Sequence, residues 1–497
     1  MNFSYLRFII VMTKKAWMSM IAISLGSFMV TLDISIVNVA LPVIQQDLQA
    51  SMADLQWIID AYALTLSALI LSAGILSDRY GRRLLWIFGI ILFTIGSLIC
   101  AISENTTLLI IGRAIQGMGG AAVIPCAMSI ILMTFSDLRV RNRMVGIWSA
   151  TTAIALILGP IAGGLLVSIW GWTSIFSINI PIGFLVVGLG LYGIKREDDL
   201  NRKRPLDPIG QLFAILILAG LTYGLINLSE TAWSLQSFLL FTGIFGLFVI
   251  FLWQQSHHAM PLIPIALFKD WQFSRYNLVS FVVGFTTYSN IFFLSIFFQN
   301  AQGYSAIETG LRMTPEFLAM GICCMTYGIY SRCFSAKTLL LIALILLAIA
   351  SLLLAFVERE TAYVLIALYL TIFGIGMGIS IPAISLLLLQ DAPKSHLGII
   401  SGLMNAFRQT GMTISIALLG AIMTKGAILS LSEILDDHDI EDPLLLENII
   451  TQNAWDSFVS PIWIQEAWTT GFQYAMIGSA LAVTLVLFCF IPFKNRA

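Results

Sequence analysis

Three ionisable side chains interrupt long apolar runs: Asp33 in FMVTLDISIVNVALP, Asp60 in WIIDAYALTL and Arg113 in LLIIGRAIQGMGG. A charge at the centre of a bilayer costs about 2.5 to 3.5 kcal/mol on insertion scales, so each needs a partner, a wet cavity or a function. Burial favours a neutral acid and a nearby guanidinium favours the carboxylate, so a carboxylate whose distance to an Arg changes can bind a proton in one state and release it in another. Counted from the expected outer ends of their runs, the three lie six or seven residues in, a common depth of roughly 10 Å at 1.5 Å per residue. At that shared depth Asp33 and Arg113 are candidates to handle a proton between them, with a purely structural ion pair as the alternative. For Asp60, proton relay or cation binding stands beside a plain polar residue at a wet helix end. Two more charges are candidates for a substrate cavity. Arg408 sits near the midplane of its run with Asn405 and Gln409 beside it. Glu316 follows Arg312 by four residues, a spacing that predicts an ion pair near the outer surface and leaves a substrate-facing carboxylate as the second choice.

The elements that hold these residues are membrane helices. The chain has 497 residues, 58% hydrophobic and 11% charged, and a mean hydropathy of +0.91, which no water-soluble core could accommodate. Apolar runs of about 20 residues predict an all-α polytopic membrane protein with fourteen spans, near 17–40, 53–77, 84–103, 107–131, 141–167, 172–194, 209–229, 235–255, 275–299, 306–331, 338–357, 361–389, 396–425 and 469–492. Most basic residues fall in alternate connections, Arg79/Arg82/Arg83, Arg139/Arg141/Arg143, the run from Lys195 to Arg204, Lys269/Arg275, Arg332/Lys337 and Lys394, together with Lys14, Lys15, Lys494 and Arg496. The positive-inside rule then puts both termini in the cytoplasm. The segment 426–468 has no Lys or Arg but carries Glu433, Asp436, Asp437, Asp439, Glu441 and Asp442, which makes it an acidic outer loop.

Several classes are excluded. The six Cys and four His show no metal-ligand or disulfide spacing, so neither a metal nor another cofactor is expected. No nucleophile converges with an acid/base pair, which argues against an enzyme, and no G-x-x-x-x-G-K-[ST] loop is present, so an ion gradient must drive any transport. The apolar stretch in MNFSYLRFIIVM is too short to span and has no cleavage site after it; Met12 is an alternative start.

The chain also repeats itself. QGMGGAAVIP at 116–125 is echoed by FGIGMGISIP at 373–382, and GILSDRYGRRLL at 74–85 by GIYSRCFSAKTLL at 328–340, without the Asp and the second Gly. Two six-helix bundles follow, over 1–194 and 275–497, with linkers and two inserted helices in 195–274. The segment 74–85 resembles the signature loop of the major facilitator superfamily. In it Gly74 and Gly81 permit close approach, Arg79, Arg82 and Arg83 hold the turn at the cytoplasmic face, and Asp78 is their partner. LDISIVNVALP, LIIGRAIQGMGGA, LGPIAGG, WGWTSIFSINIPIG, QGYSAIETGLRMTP and NAFRQTG resemble, in order, further motifs of its fourteen-helix drug:proton antiporter branch. In LGPIAGG, Gly159, Pro160, Gly163 and Gly164 are expected to make a dry, bendable seam between the bundles.

The resemblance implies proton-coupled multidrug efflux by alternating access across a bacterial inner membrane, drawing on the proton gradient. The partners expected are an amphipathic organic substrate, protons, membrane lipids and, optionally, a periplasmic adaptor protein. A dedicated exporter of one metabolite such as a siderophore, and a non-transporting sensor or structural subunit, remain alternatives.

Overall fold

Charge-poor runs of this length satisfy their backbone groups only as helices, and helices are what they form. The computed structural model describes residues 13–135, 137–196, 207–230, 234–258, 261–389, 397–436, 449–450, 459–488 and 490. The long helices are α1 (Lys14–Leu48), α2 (Met52–Tyr80), α3 (Arg82–Ala101), α4 (Thr106–Thr134), α5 (Leu138–Trp170), α6 (Ser174–Gly193), α7 (Pro208–Glu230) and α8 (Leu235–His257). They continue with α9 (Trp271–Ala301, its last turn a π-turn), α10 (Ala306–Cys333), α11 (Ala336–Leu354), α12 (Tyr363–Leu389), α13 (Leu397–Asp436) and α14 (Pro461–Phe488). Thirteen of these are long and apolar enough to cross a membrane. The other, α10, is long enough but diluted by Glu308, Arg312, Glu316 and Arg332.

Three boundaries depart from expectation by several residues. Helix α1 runs on to Leu48 rather than stopping near 40. Helix α13 continues to Asp436, so 426–436 is helix rather than loop. Met423, Ala427, Leu431 and Leu435 repeat every four residues and are fully buried, which gives this extension an apolar stripe, and Gly471 of α14 packs against Met423 and Ala427. Helix α14 starts at Pro461, inside the same expected loop. Asp437, Asp439, Glu441 and Asp442 lie outside the described residues, as does the N-terminal segment 1–12.

The packing repeats as the sequence does. Within the first six helices the pairs α1–α5, α2–α4, α3–α4, α1–α6 and α3–α6 are in contact; shifted by eight, α9–α13, α10–α12, α11–α12, α9–α14 and α11–α14 are too. The two groups meet along α5–α10 and α2–α13, a pair of seams related by the same shift. The inserted α7 and α8 pack on each other, and α7 lies against both α2 and α13. Ser295 and Gln299 of α9 donate to the carbonyls of Asn38 and Val39 in α1, at 2.6 and 3.0 Å, which ties the two groups together.

Candidate functional site

Arg113 and Asp33 meet. One guanidinium nitrogen of Arg113 on α4 pairs with Oδ2 of Asp33 on α1, and both side chains are 1% exposed or less. The other Asp33 oxygen accepts from Gln116 Nε2 at 3.0 Å and from Asn179 Nδ2 of α6 at 3.2 Å. Arg113 spends its remaining donors on the Ile58 carbonyl of α2, 3.0 Å, and on Gln116 Oε1, 2.9 Å, and its guanidinium lies over the Tyr62 ring, 4.4 Å from the centroid. Gln116 also donates to Ser97 of α3 at 2.8 Å, and the Tyr62 hydroxyl reaches the Val30 carbonyl. Five helices thus converge on one ion pair with every Asp33 oxygen satisfied, the condition under which a buried pair is tolerated. The close packing that permits it comes from glycine: a Cβ on Gly96 or Gly112 would strike the neighbouring helix.

Gln116, Asn179, Ser97 and Tyr62 were not among the residues expected from the sequence. The spacing of Gln116 three after Arg113, and the lone Asn in SINIPIG, were the available signals.

Asp60 does not join this network. It is fully buried on α2, and neither of its oxygens has a hydrogen-bond partner among the described residues; the same holds for both amide atoms of Gln56, one turn before it. Glu316 is also fully buried, and its Oε2 accepts from Asn290 Nδ2 of α9 at 3.0 Å. The expected Glu316–Arg312 pair is absent. Arg312 instead lies over the Tyr304 ring at 3.5 Å, with Tyr363 at 5.4 Å, a cation–π contact that holds its charge away from the buried Glu316. Arg408 is half-buried and donates to Asn405 Oδ1 at 2.8 Å.

The major facilitator superfamily model matches residues 23–416. The chain belongs to that superfamily. The methylenomycin A resistance protein of Bacillus subtilis (strain 168) is 33% identical over 81% of this chain and 87% of its own length. Multidrug resistance protein Stp of Mycobacterium tuberculosis (strain CDC 1551 / Oshkosh) is 34% identical over 89% and 83%. The fold is also that of a crystal structure of a bacterial homolog to the human lysosomal transporter Spinster, inward-facing and unoccupied, with TM-score 0.66, 17% identity and 96% of each chain covered. This superfamily member is therefore a transporter with the all-α polytopic fold that its sequence implied.

The superfamily loop between α2 and α3 keeps part of its expected logic. Gly81 has φ +98°, a backbone that only glycine adopts without strain. Arg83 donates to the Leu191 carbonyl of α6 at 2.5 Å, Arg82 contacts Met133 of α4, and Arg79 lies over Tyr80. The close approach expected of Gly74 is not found: a Cβ there would meet nothing within 4 Å, so the glycine faces open space in this conformation. The Asp78 side chain lies outside the described residues.

The LGPIAGG segment divides its work between two faces. Gly159 and Gly163 turn toward α1, where a Cβ would strike Ser35 and Ile36, while Gly164 turns toward Ala306 and Ile307 of α10. Pro160 sits inside α5, and its carbonyl faces Gly310 of α10. Metal chemistry has no foothold among the described residues, since no three His, Cys, Asp or Glu gather.

Proposed function

We propose that this transporter exports amphipathic organic compounds in exchange for protons, and that Asp33 is the carboxylate that carries the coupling proton. The observation behind this reading is the fully buried Asp33–Arg113 pair, held from five helices that pack on one another. A rocking motion that separates α1 from α4 would leave Asp33 with amide donors and no cation, which favours its neutral form; re-forming the pair expels the proton. In this cycle Gln116 and Asn179 position the carboxylate, and Arg113 supplies the charge that competes with the proton. Basic connections on one side support a bacterial inner-membrane location with both termini cytoplasmic. The domain division 1–194, 195–274 and 275–497 is part of the same reading. Protons, the organic substrate and the surrounding lipids suffice as partners; a periplasmic adaptor protein would add a path across a second membrane.

Everted vesicles acidified inside and loaded with a pH-sensitive dye test it. Added substrate should release luminal protons in the wild type and not in Asp33→Asn. The relatives' names favour a second reading: methylenomycin A resistance protein and, in Streptomyces glaucescens, tetracenomycin C resistance and export protein are each named for one compound. A dedicated exporter would answer to one chemical class in the same vesicles, and a multidrug exporter to several.

A further inference from the structure

Glu316 is a carboxylate that the Asp33 cycle leaves unused, and its surroundings are missing one donor. Asn290 donates to Oε2, but Oε1 has no partner, and neither does the Asn290 Oδ1. Both orphans are acceptors. One proton on Glu316 turns the group from acceptor to donor, and the amide oxygen of the side chain already bonded to it is an acceptor in need of that donor. No cation competes for the place. Helix α5 from Met144 on and helix α12 carry no Asp, Glu, Lys, Arg or His; α11 has only Lys337 and α9 only Arg275, both at their cytoplasmic starts. On α1, Asp33 is taken by Arg113, while Lys14, Lys15 and Asp47 lie near its ends; on α10 itself, Arg312 sits on Tyr304, Glu308 caps Ser305 and Arg332 lies in the last turn, sixteen residues from Glu316. The tyrosines of these helices, Tyr288, Tyr327, Tyr363 and Tyr369, bring hydroxyls and no basic group. A lone ionised carboxylate fully buried among such helices would be strongly unfavourable.

The position is also mechanically placed. Pro315 lies inside α10 immediately before Glu316 and removes one helical hydrogen bond, so the helix can bend there. Glu316 lies between two of the points where α10 touches the other bundle, Gly310 against Pro160 and Gly321 against Ile157, while its own carbonyl is pressed against Gly374 of α12. Movement along the α5–α10 seam therefore pulls on the segment that holds the carboxylate.

We infer that Glu316 and Asn290 form a second proton site, in the second bundle, loaded when the α5–α10 seam is closed and released when it opens. This rests on the alternating-access reading above but not on any substrate. Infrared difference spectroscopy on purified protein in lipid at neutral pH tests it. The C=O band of a protonated, hydrogen-bonded carboxylic acid should be present in the wild type and lost in Glu316→Gln. It should shift in Asn290→Ala and weaken in Gly310→Ala, which crowds the seam. No band lost in Glu316→Gln means that the residue is ionised; a band indifferent to Gly310→Ala means a structural acid. Either result overturns the proposal. With ethidium as transport probe, Glu316→Gln should reduce steady-state accumulation tenfold per pH unit imposed. If the wild type moves no ethidium, that fault lies with the export reading and the infrared result still decides for Glu316.

Discussion

Gly310 of α10 faces the carbonyl oxygen of Pro160 in α5 so closely that no side chain fits between them. The missing side chain at Gly310 therefore lets the two bundles come this near at that point of the seam. Gly310→Ala should disfavour this conformation by about 1 to 3 kcal/mol, the usual cost of overpacking, which is roughly a 5- to 150-fold shift in population. A cysteine replacing Gln299, whose side chain bonds across the bundles to Val39, reports it. In a background without the native Cys, its reaction with an impermeant thiol reagent added outside should accelerate when Gly310→Ala is introduced. An unchanged rate would mean that this contact does not limit opening.

Asp33→Asn should abolish uphill export while the protein remains in the membrane, because an amide can accept the same Gln116 and Asn179 donors but cannot release a proton. Arg113→Ala should cost more in stability, about 3 to 5 kcal/mol for a buried partner left alone. Combining the two should recover part of that loss, visible as a thermal midpoint above that of Arg113→Ala alone. Normal substrate-induced proton release from Asp33→Asn vesicles would falsify the coupling role.

Much of this was written in the chain. Charge-poor runs fixed the helices, and Asp33 and Arg113 could be read as partners because each is too costly to leave alone in a bilayer. What the sequence hid depends on rotation and tertiary packing. Asp60 lies as near Arg113 in expected depth as Asp33 does, yet it points elsewhere. The i,i+4 rule pairs Glu316 with Arg312, but Tyr304 and Tyr363, brought in from the neighbouring connections, outcompete it. The extension of α13 to Asp436 was masked by its polar residues, which face away from the buried stripe Ala427, Leu431 and Leu435.

Asp207 ties the start of α7 to the end of α8. Burial works to raise the Asp207 carboxyl, but donors from Gly210 N–H, Gln255, Gln254 and Leu262 N–H outweigh it and hold the group below the usual carboxylate range. A group depressed in the folded state stabilises above its unfolded value and loses that contribution as pH falls through the folded one, so the junction of α7 with α8 should loosen only in strong acid. Asp207→Asn should produce the loosening at neutral pH. Amide exchange at Gly210 and Leu262 should be at least about fivefold faster, equivalent to roughly 1 kcal/mol for a weakened bond to a charged group. Unchanged exchange would show that the anchor is elsewhere.

Orientation can be read with two cysteines. Glu433, exposed near the far end of α13, and Lys195, exposed just after α6, belong on opposite sides if the spans alternate. In intact cells, with the native Cys removed, Glu433→Cys should react with an impermeant reagent and Lys195→Cys only after the membrane is opened. The reverse pattern would invert the assigned topology.

Substrate charge turns on Asp60 and Arg408. Asp60 is fully buried with both oxygens unpartnered, one turn from Gln56, whose amide lies against Gly420 of α13. Separation of α2 from α13 would uncover a carboxylate with no competing cation at hand, whereas Arg408 on the same α13 is half-buried and already shares its charge with Asn405. A lipophilic cation therefore has the better-prepared partner. With detergent-purified protein, Asp60→Asn should weaken binding of a cationic dye such as ethidium about tenfold, a difference of 1.4 kcal/mol, and leave a neutral dye unaffected. Arg408→Ala should change neither by more than a few-fold. If Asp60→Asn binds ethidium as the wild type does while Arg408→Ala loses an anionic ligand, the cavity selects anions, and the chain is better described as the exporter of one anionic metabolite.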